Sequence, residues 1–336
     1  MDSLTHIVLG ACIGEVVAGK QLGKKAMLLG AVAQSIPDID FLTSFFLPTS
    51  TDLLAHRGFT HSILCALLTA TLLGLLSVRL QKSNKQRISF WSCFWGLEIM
   101  VHLFIDCFNV YGTGLFEPFS HYRVSFNTLF VADPLFTIVP LIATLILVLV
   151  RKQWANRRKL AVLAIATSTV YLGYASGNKL YIDSIVRKSL PPTSLSTGRY
   201  FTTPTQLNSL LWYAVAEADS GYYTGYLSIM DKDKTVKYRF VPKREYLIMN
   251  QEDSRELLQL NRFSQGYYTI EKRNDTLIFH DLRFGESTGW MTQTPVFTFY
   301  YYLNNPTANN VVIQRGRFTG WNKQVFYSLL NRIKGI

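Results

Sequence analysis

Residues 55–62, AHRGFTHS, are followed directly by the apolar run ILCALLTATLLGLLSV at residues 63–78. A spanning helix needs about 20 consecutive apolar residues, so a run of this length and composition is typical of a membrane helix. The polar stretch before it therefore places His56, Arg57 and His61 at the start of a membrane helix. Ionisable side chains at such positions are costly and indicate a functional site.

The composition of the whole chain agrees with a membrane protein. Of its 336 residues, 49% are hydrophobic and only 17% are charged, and the net charge is +12. The cysteines contain no CxxC pair, which predicts small buried side chains and not a disulfide framework. The N-terminus lacks the basic region and cleavage site of a secretory signal.

Apolar stretches alternate with short basic connectors up to about residue 180. Four of these stretches are long enough to span a membrane, at 62–78, 88–110, 134–150 and 160–177. Two shorter stretches lie at 4–18 and 26–36. The pattern predicts an α-helical membrane bundle of about six apolar segments over residues 1–180.

The second half of the chain changes to an alternating, aromatic pattern. Examples are TVKYRFV at 235–241, DTLIFHDLRF at 275–284 and TPVFTFYYYL at 294–303. Alternation bounded by Gly, Asp and Asn predicts half-buried antiparallel strands. Residues 181–336 are therefore expected to form a β-rich, water-facing domain, closed by an amphipathic helix at 320–332.

The positions of lysine and arginine predict the orientation of the bundle, because cytoplasmic loops retain positive charge. Twelve of these residues lie in the connectors 20–25, 79–87 and 151–159, whereas the alternate loops 37–60 and 111–133 carry one each. The connectors are therefore predicted to be cytoplasmic, and the C-terminal domain to lie outside the cytoplasm. This bias also accounts for the net charge without nucleic-acid binding.

Histidines and carboxylates gather at the outer face of this predicted bundle. Four separate pieces of sequence deliver them, and two spacings fit a common site. His102 and Asp106 are four residues apart and share a helix face. Asp38 and Asp40 are two apart and would point the same way in an extended turn. The candidate metal ligands are His6, Asp38, Asp40, His56, His61, His102 and Asp106.

Such a set of imidazoles and carboxylates suits zinc or a similar divalent ion. One to three ions could activate a water for attack on a phosphoester, with Asp38 or Asp40 accepting its proton. Arg57 could bind an anionic group of the substrate through its planar guanidinium. The sequence leaves the roles of four other polar residues open, and the strand-like segment around His280 indicates a structural role for that residue. Those four are Glu15, Glu98, His121 and Asp133.

Five motifs together resemble the YdjM-like family of bacterial inner-membrane proteins, which are described as metal-dependent hydrolases. They are MDSLTHIVLGACIGE at 1–15, GAVAQSIPDID at 30–40, HRGFTHS at 56–62, HLFIDCFNVYGTGLFEPFS at 102–120 and VADPLF at 131–136. That family is in turn distantly similar to zinc-dependent phospholipase C and single-strand-specific nucleases, which are helical enzymes that hold up to three zinc ions.

The resemblance implies an integral protein of the bacterial inner membrane with a zinc centre. It implies the ligands His6, Asp38, His56, His102 and Asp106, joined by Asp40 and His61. The expected activity is hydrolysis of a lipid or lipid-linked phosphoester at the outer membrane face. The sequence also leads us to expect no N-terminal amine at the site, since His6 follows an uncleaved start.

Two other functions fit the same residues. An ion-handling transporter would line a path with acids and histidines, which predicts polar groups through the full depth of the bilayer. A non-catalytic envelope scaffold would use a metal ion to join helices to the β-rich domain. A closed set of protein ligands would favour the scaffold. The sequence makes no prediction of oligomeric state.

Overall fold

The computed structural model describes residues 1–80, 86–194, 198–249, 254–292, 296–303 and 321–336. Over these residues the α-helices are α1 (Ser3–Leu22), α2 (Lys24–Ser35), α3 (Thr49–Ala55), α4 (Ile63–Leu80), α5 (Ile88–Asp106), α6 (Pro134–Leu149), α7 (Arg157–Lys188), α8 (Arg255–Phe263) and α9 (Lys323–Ile333). The strands are β1 (Tyr200–Pro204), β2 (Leu211–Ala218), β3 (Gly221–Ser228), β4 (Arg239–Pro242), β5 (Tyr268–Arg273), β6 (Thr276–Glu286) and β7 (Phe297–Leu303).

The chain forms two compact units. The first comprises residues 1–43, 55–126 and 131–174, and the second comprises residues 44–54, 127–130 and 175–336. The division falls inside α7, a few residues before the boundary predicted near residue 180. The second unit also includes two short segments, 44–54 and 127–130, which come before this boundary in the sequence.

The helical unit begins with a hairpin of α1 and α2. Asp2 caps α1 by accepting a hydrogen bond from the Thr5 backbone N–H at 3.0 Å, which satisfies one free donor of the first turn. The two helices cross at glycines. A Cβ atom on Gly10 would lie 2.4 Å from the Gly30 carbonyl oxygen. The backbones can approach this closely only because both positions lack a side chain.

Four helices of the described chain, α1, α4, α5 and α7, are long and apolar enough to cross a membrane. With 16 residues, α6 is apolar but shorter, and α2 has only 12. The structure thus shows a helical N-terminal region with about four candidate spans. Six spans and a C-terminal domain outside the cytoplasm stay predictions. Lys82 and Lys85, which contribute to the predicted orientation, lie outside the described residues.

The C-terminal unit confirms the predicted β-rich region. Strands β1 to β4 form one antiparallel sheet in sequential order, and β5 to β7 form a second. Ile182 and Val186, from the last part of α7, pack with Trp212 of β2 in the core. Helix α9, Lys323–Ile333, covers nearly the same residues as the closing helix predicted at 320–332. The first residue of that prediction, Gly320, is outside the described part of the chain.

Candidate metal centre

Four ligand atoms converge within the helical unit. They belong to Asp38, His61, His102 and Asp106, and all lie within 4.8 Å of one another. Asp38 comes from the 3₁₀ helix Pro37–Phe45, His61 from the short 3₁₀ helix Phe59–His61, and the other two from the last turns of α5. The predicted spacing of four between His102 and Asp106 thus brings both side chains to one cluster.

The separations between these atoms suit a single ion. The Nε2 atoms of His61 and His102 are 3.2 Å apart. Asp38 Oδ1 lies 3.5 and 3.6 Å from these nitrogens, and Asp106 Oδ2 lies 3.4 and 3.5 Å from them. A tetrahedral site with metal–ligand distances of about 2.1 Å has its ligand atoms about 3.4 Å apart.

Hydrogen bonds behind the two imidazoles fix which nitrogen carries the proton. His102 Nδ1 lies 2.6 Å from the Gln34 carbonyl oxygen, to which only an N–H can donate. His61 Nδ1 lies 3.1 Å from Asp40 Oδ2. In the neutral ring each Nε2 then carries a lone pair directed into the cluster, as in metal-binding histidines generally.

Asp106 supplies the observation that tests whether an ion fits. Its Oδ2 atom is fully buried and has no hydrogen-bond partner among the described residues. Arg57 Nε lies 3.2 Å away but is also unpartnered, so its N–H is not directed at the oxygen. A buried carboxylate oxygen without a donor is costly. A cation between this oxygen and the two Nε2 lone pairs would satisfy all three atoms, so the residues fit a divalent metal.

Asp40 lies behind His61 and not in the four-atom cluster. Its Oδ1 contacts His56 Nδ1 at 2.9 Å, and its Oδ2 accepts hydrogen bonds from the Arg57 backbone N–H and the Thr60 hydroxyl, both at 2.8 Å. Burial alone would raise the pKa of Asp40, but hydrogen bonds from His56 and His61 hold it well below its usual range. Asp40 therefore orients His61.

The prediction that Asp38 and Asp40 point the same way in an extended turn is wrong. They lie in a 3₁₀ helix, where each residue turns by about a third of a circle. The two carboxylates consequently contact opposite edges of the His61 ring, Asp38 near Nε2 and Asp40 near Nδ1. Burial alone lowers the pKa of His61, but the neighbouring carboxylates of Asp106, Asp38 and Asp40 raise it to about 10. The three carboxylates thus favour a positive charge at this ring, which a cation bound at the neutral Nε2 would supply in place of a proton.

His6 lies on the other side of Asp106. Its Nε2 is 3.2 Å from Asp106 Oδ1, and its ring stacks on that of His102 with centroids 3.8 Å apart. The Met1 amino group also contacts Asp106 Oδ1. Asp106 thus faces two groups of possible ligands, one at each carboxylate oxygen.

The guanidinium of Arg57 is held inside the protein. Its side chain donates to Asn109 Oδ1 at 2.7 Å and to the Met1 carbonyl at 3.2 Å, and it lies over the Tyr111 ring. Arg57 also has a left-handed backbone, with φ of 59°, which is uncommon for residues other than glycine. These contacts hold the guanidinium beside Asp106, with Nε 3.2 Å from Oδ2, and the predicted binding of an anionic substrate group by Arg57 stays a prediction.

Comparison with known proteins identifies the family. The model of the family described as YdjM inner membrane protein matches residues 1–180, which include every residue of the cluster. The chain belongs to the YdjM inner membrane protein family. The resemblance found in the sequence motifs is thereby confirmed, and so is an inner-membrane protein with apolar helices.

Two curated relatives of this YdjM family member carry little functional information. The chain is 30% identical over 142 residues to the uncharacterized protein YfhP of Bacillus subtilis, covering 40% of this chain and 42% of YfhP. It is 26% identical over 112 residues to the inner membrane protein YbcI of Escherichia coli, covering 33% of this chain and 63% of YbcI. The matches thus span less than two thirds of either relative. No solved structure matches the chain.

The remaining polar residues of this YdjM family member lie outside the cluster. Glu15 forms a buried ion pair with Arg157. His121 is exposed and contacts Glu117 at 2.8 Å. Asp133 caps α6 and accepts a hydrogen bond from the Tyr171 hydroxyl at 2.9 Å. In the C-terminal unit His280 contacts Glu271 at 3.0 Å.

Sequence reasoning missed two residues that support the site. Gln34 contacts both His6 and His102, and Asn109 holds Arg57. Both stand in quoted motifs, AVAQSIPDID and HLFIDCFN, as amides among apolar neighbours. A buried amide needs partners for several hydrogen bonds, and this requirement is the signal that would have pointed to them.

Proposed function

We propose that this protein is a membrane-bound, metal-dependent hydrolase that cleaves a phosphoester of a lipid or a lipid-linked molecule. The observation that carries the proposal is the unpartnered Asp106 Oδ2, which faces the Nε2 atoms of His61 and His102 at 3.4 and 3.5 Å. With both rings neutral, all three atoms are acceptors, and a cation between them would satisfy them. Membership of a membrane-protein family supports a substrate in the bilayer.

The chain's own residues would divide the work. His61 and His102 would bind the ion as neutral ligands through their Nε2 lone pairs, while Asp106 and Asp38 would supply negative charge that balances the charge of the ion. When bound, zinc or a similar ion would supply Lewis acidity, which lowers the pKa of a water and offsets charge on a phosphoester. Asp38 is the accessible carboxylate, with a side chain 21% exposed. We infer that Asp38, and not the enclosed Asp40, accepts the proton of the attacking water.

The experiment combines metal analysis with a hydrolysis assay. Full-length protein is purified in detergent, its metal content is measured by mass spectrometry, and bis-p-nitrophenyl phosphate and a panel of phospholipids are offered as substrates. We expect at least one equivalent of zinc and release of a phosphorylated headgroup or of the lipid phosphate. His102→Ala should lose both, whereas the matched control His121→Ala should keep both, because His121 is exposed and outside the cluster.

Three outcomes would contradict the proposal in different ways. Wild-type protein without bound metal would remove the metal centre altogether. Stoichiometric metal without hydrolysis of any phosphoester would remove the catalytic role, and would favour the scaffold in which the ion only joins helices. Zinc-dependent transport of an ion in vesicles, again without hydrolysis, would favour the transporter.

A further inference from the structure

Gln34, at the end of α2, uses each of its hydrogen-bonding groups on a different partner. The residue is fully buried. Its backbone carbonyl accepts from His102 Nδ1 at 2.6 Å, its side-chain Oε1 lies 3.3 Å from His6 Nδ1, and its Nε2 lies 3.3 Å from Glu98 Oε2. One residue therefore contacts two histidines of the site and a carboxyl group that lies outside the metal cluster.

The Gln34 amide points its NH₂ end at Glu98, whose Oε2 accepts a hydrogen bond from it at 3.3 Å. Oε1 must then face His6, and because a carbonyl oxygen can only accept, His6 Nδ1 must carry the proton. The lone pair of the neutral ring is consequently on Nε2, the atom that faces Asp106 Oδ1 at 3.2 Å. This tautomer is the one that can bind a metal ion through Nε2.

The Glu98 side chain fits at the helix crossing because Gly30 has no side chain there. Its side chain is fully buried, and a Cβ atom on Gly30 would lie 2.7 Å from its Oε1 atom. Within the described residues no lysine or arginine pairs with it, and Oε1 has no hydrogen-bond partner. Within this part of the chain, Gln34 donates a hydrogen bond to the other oxygen, Oε2. A carboxyl group placed at such cost needs a role beyond packing.

We propose that Gln34 and Glu98 are positioning residues that hold His6 in the tautomer able to bind the metal ion through Nε2. A carboxyl group on α5 thereby controls a ligand on α1 through an amide on α2. The inference rests on the proposed metal centre, and it adds His6 to the groups that the protein prepares for the ion.

Two substitutions separate this role from simple packing. Gln34→Met preserves the length of the side chain and the backbone carbonyl that orients His102, but it removes the acceptor for His6. Glu98→Gln preserves shape, but its amide offers a donor as well as an acceptor, so the Gln34 amide can turn either way. Both variants should leave His61 and His102 in place. In both, the proton of the neutral His6 ring would no longer be held on Nδ1.

The experiment measures Zn²⁺ affinity of the full-length protein in detergent by competition with a chromophoric chelator. Loss of the partner that orients a ligating histidine weakens metal binding about 10–100-fold, and we expect this loss in Gln34→Met and in Glu98→Gln. In a His6→Ala background neither substitution should weaken binding further, because both act through His6. Glu15→Gln, another buried carboxylate of the bundle, is the matched control and should keep wild-type affinity.

The outcomes separate this inference from the proposed function. Wild-type protein that binds no Zn²⁺ overturns both. Wild-type binding together with affinities within about twofold in Gln34→Met and Glu98→Gln overturns the positioning role alone. A further loss in the His6→Ala background also overturns it, since the residues would then act on the bundle as a whole. If Gln34→Met does not fold, the isosteric Glu98→Gln and its His6→Ala double variant decide the question.

Discussion

Two buried ionic clusters of the helical unit differ in how well their hydrogen-bonding groups match. Glu15 offers two oxygens to two N–H groups of Arg157, each at 2.8 Å, and a third Arg157 nitrogen donates to the Leu147 carbonyl at 2.7 Å. Around Asp106, by contrast, one carboxylate oxygen faces two imidazole nitrogens and receives no hydrogen bond among the described residues.

This difference shows that burial of charge does not by itself indicate a function. The pair of Glu15 and Arg157 is complete, since donors meet acceptors in a bidentate arrangement that needs no further partner. In the cluster at Asp106, acceptors meet acceptors when both histidine rings are neutral, and the proposed cation would complete it. The two clusters should therefore respond differently to substitution.

The largest effect is expected from His102→Ala. The substitution removes the Nε2 ligand atom of His102, which lies 3.2–3.6 Å from the other ligand atoms. The methyl group of alanine cannot bind a metal ion. Since loss of an outer partner alone costs about 10–100-fold, we expect Zn²⁺ affinity to fall by more than about 100-fold. Chelator competition measures it. Affinity within tenfold of wild type would mean that the incomplete cluster is not a metal site.

The next effect concerns the complete pair. Arg157→Leu leaves Glu15 buried without a partner, and breaking a buried pair in this way costs about 3–5 kcal/mol. We expect a lower unfolding midpoint in detergent, with Zn²⁺ affinity unchanged. The double variant with Glu15→Leu should recover most of the stability, because it removes both charges. A loss of metal in Arg157→Leu would contradict the separation of the two clusters.

A smaller effect is expected from His56→Ala. The His56 side chain is 37% exposed and contacts Asp40, which in turn orients His61. Because His56 acts on His61 only through Asp40, the substitution should weaken Zn²⁺ binding by about tenfold, at the low end of the losses seen for residues that orient a ligand. Chelator competition beside His102→Ala gives the comparison. Equal losses in the two variants would make His56 a ligand, as the sequence predicts.

The smallest effect is expected from Glu271→Gln in the C-terminal unit, where the Glu271 carboxylate contacts His280 and Arg273. Hydrogen bonds from His280 and Arg273 lower the pKa of Glu271 from 4.5 to about 2, although burial opposes the shift. Because the folded pKa is lower, folding favours the ionised form. This stabilisation is present above about pH 4.5 and is lost as the pH falls toward 2.

Glu271 is partly exposed, so its contribution should stay below about 1 kcal/mol. The measurement compares denaturant midpoints of wild type and Glu271→Gln in detergent at several pH values. We expect wild type to be the more stable at pH 6 and the difference to shrink by pH 3. A difference that is independent of pH would assign the effect to packing.

The sequence predicted the parts of this site that depend on regular spacing. A separation of four residues places His102 and Asp106 on one helix face, and the structure brings both into the cluster. Asp38 and Asp40 show the limit. Their separation of two has different consequences in an extended turn and in a 3₁₀ helix, and the local sequence PDID did not distinguish the two conformations.

The supporting residues could not be predicted because their partners are distant in the chain. Gln34 is 64 residues from Glu98, and Arg57 is 52 residues from Asn109. The fold shows the same limit. The alternating pattern identified the β-rich region, and the short apolar stretch at 26–36 agrees with the 12 residues of α2. The apolar stretches did not reveal that α1 is 20 residues long or that it packs against α2 through glycines.

The position of the cluster has a consequence for the biogenesis of the protein. His6 and Gln34 lie on the hairpin of α1 and α2, while His102 and Asp106 lie on α5, which pairs with α4. Helical hairpins can insert into a bilayer independently and associate afterwards. Neither hairpin alone assembles these groups, so the proposed metal centre could form only after the hairpins have docked. Uptake of the proposed ion would then mark the final stage of assembly and distinguish mature protein from newly inserted chains.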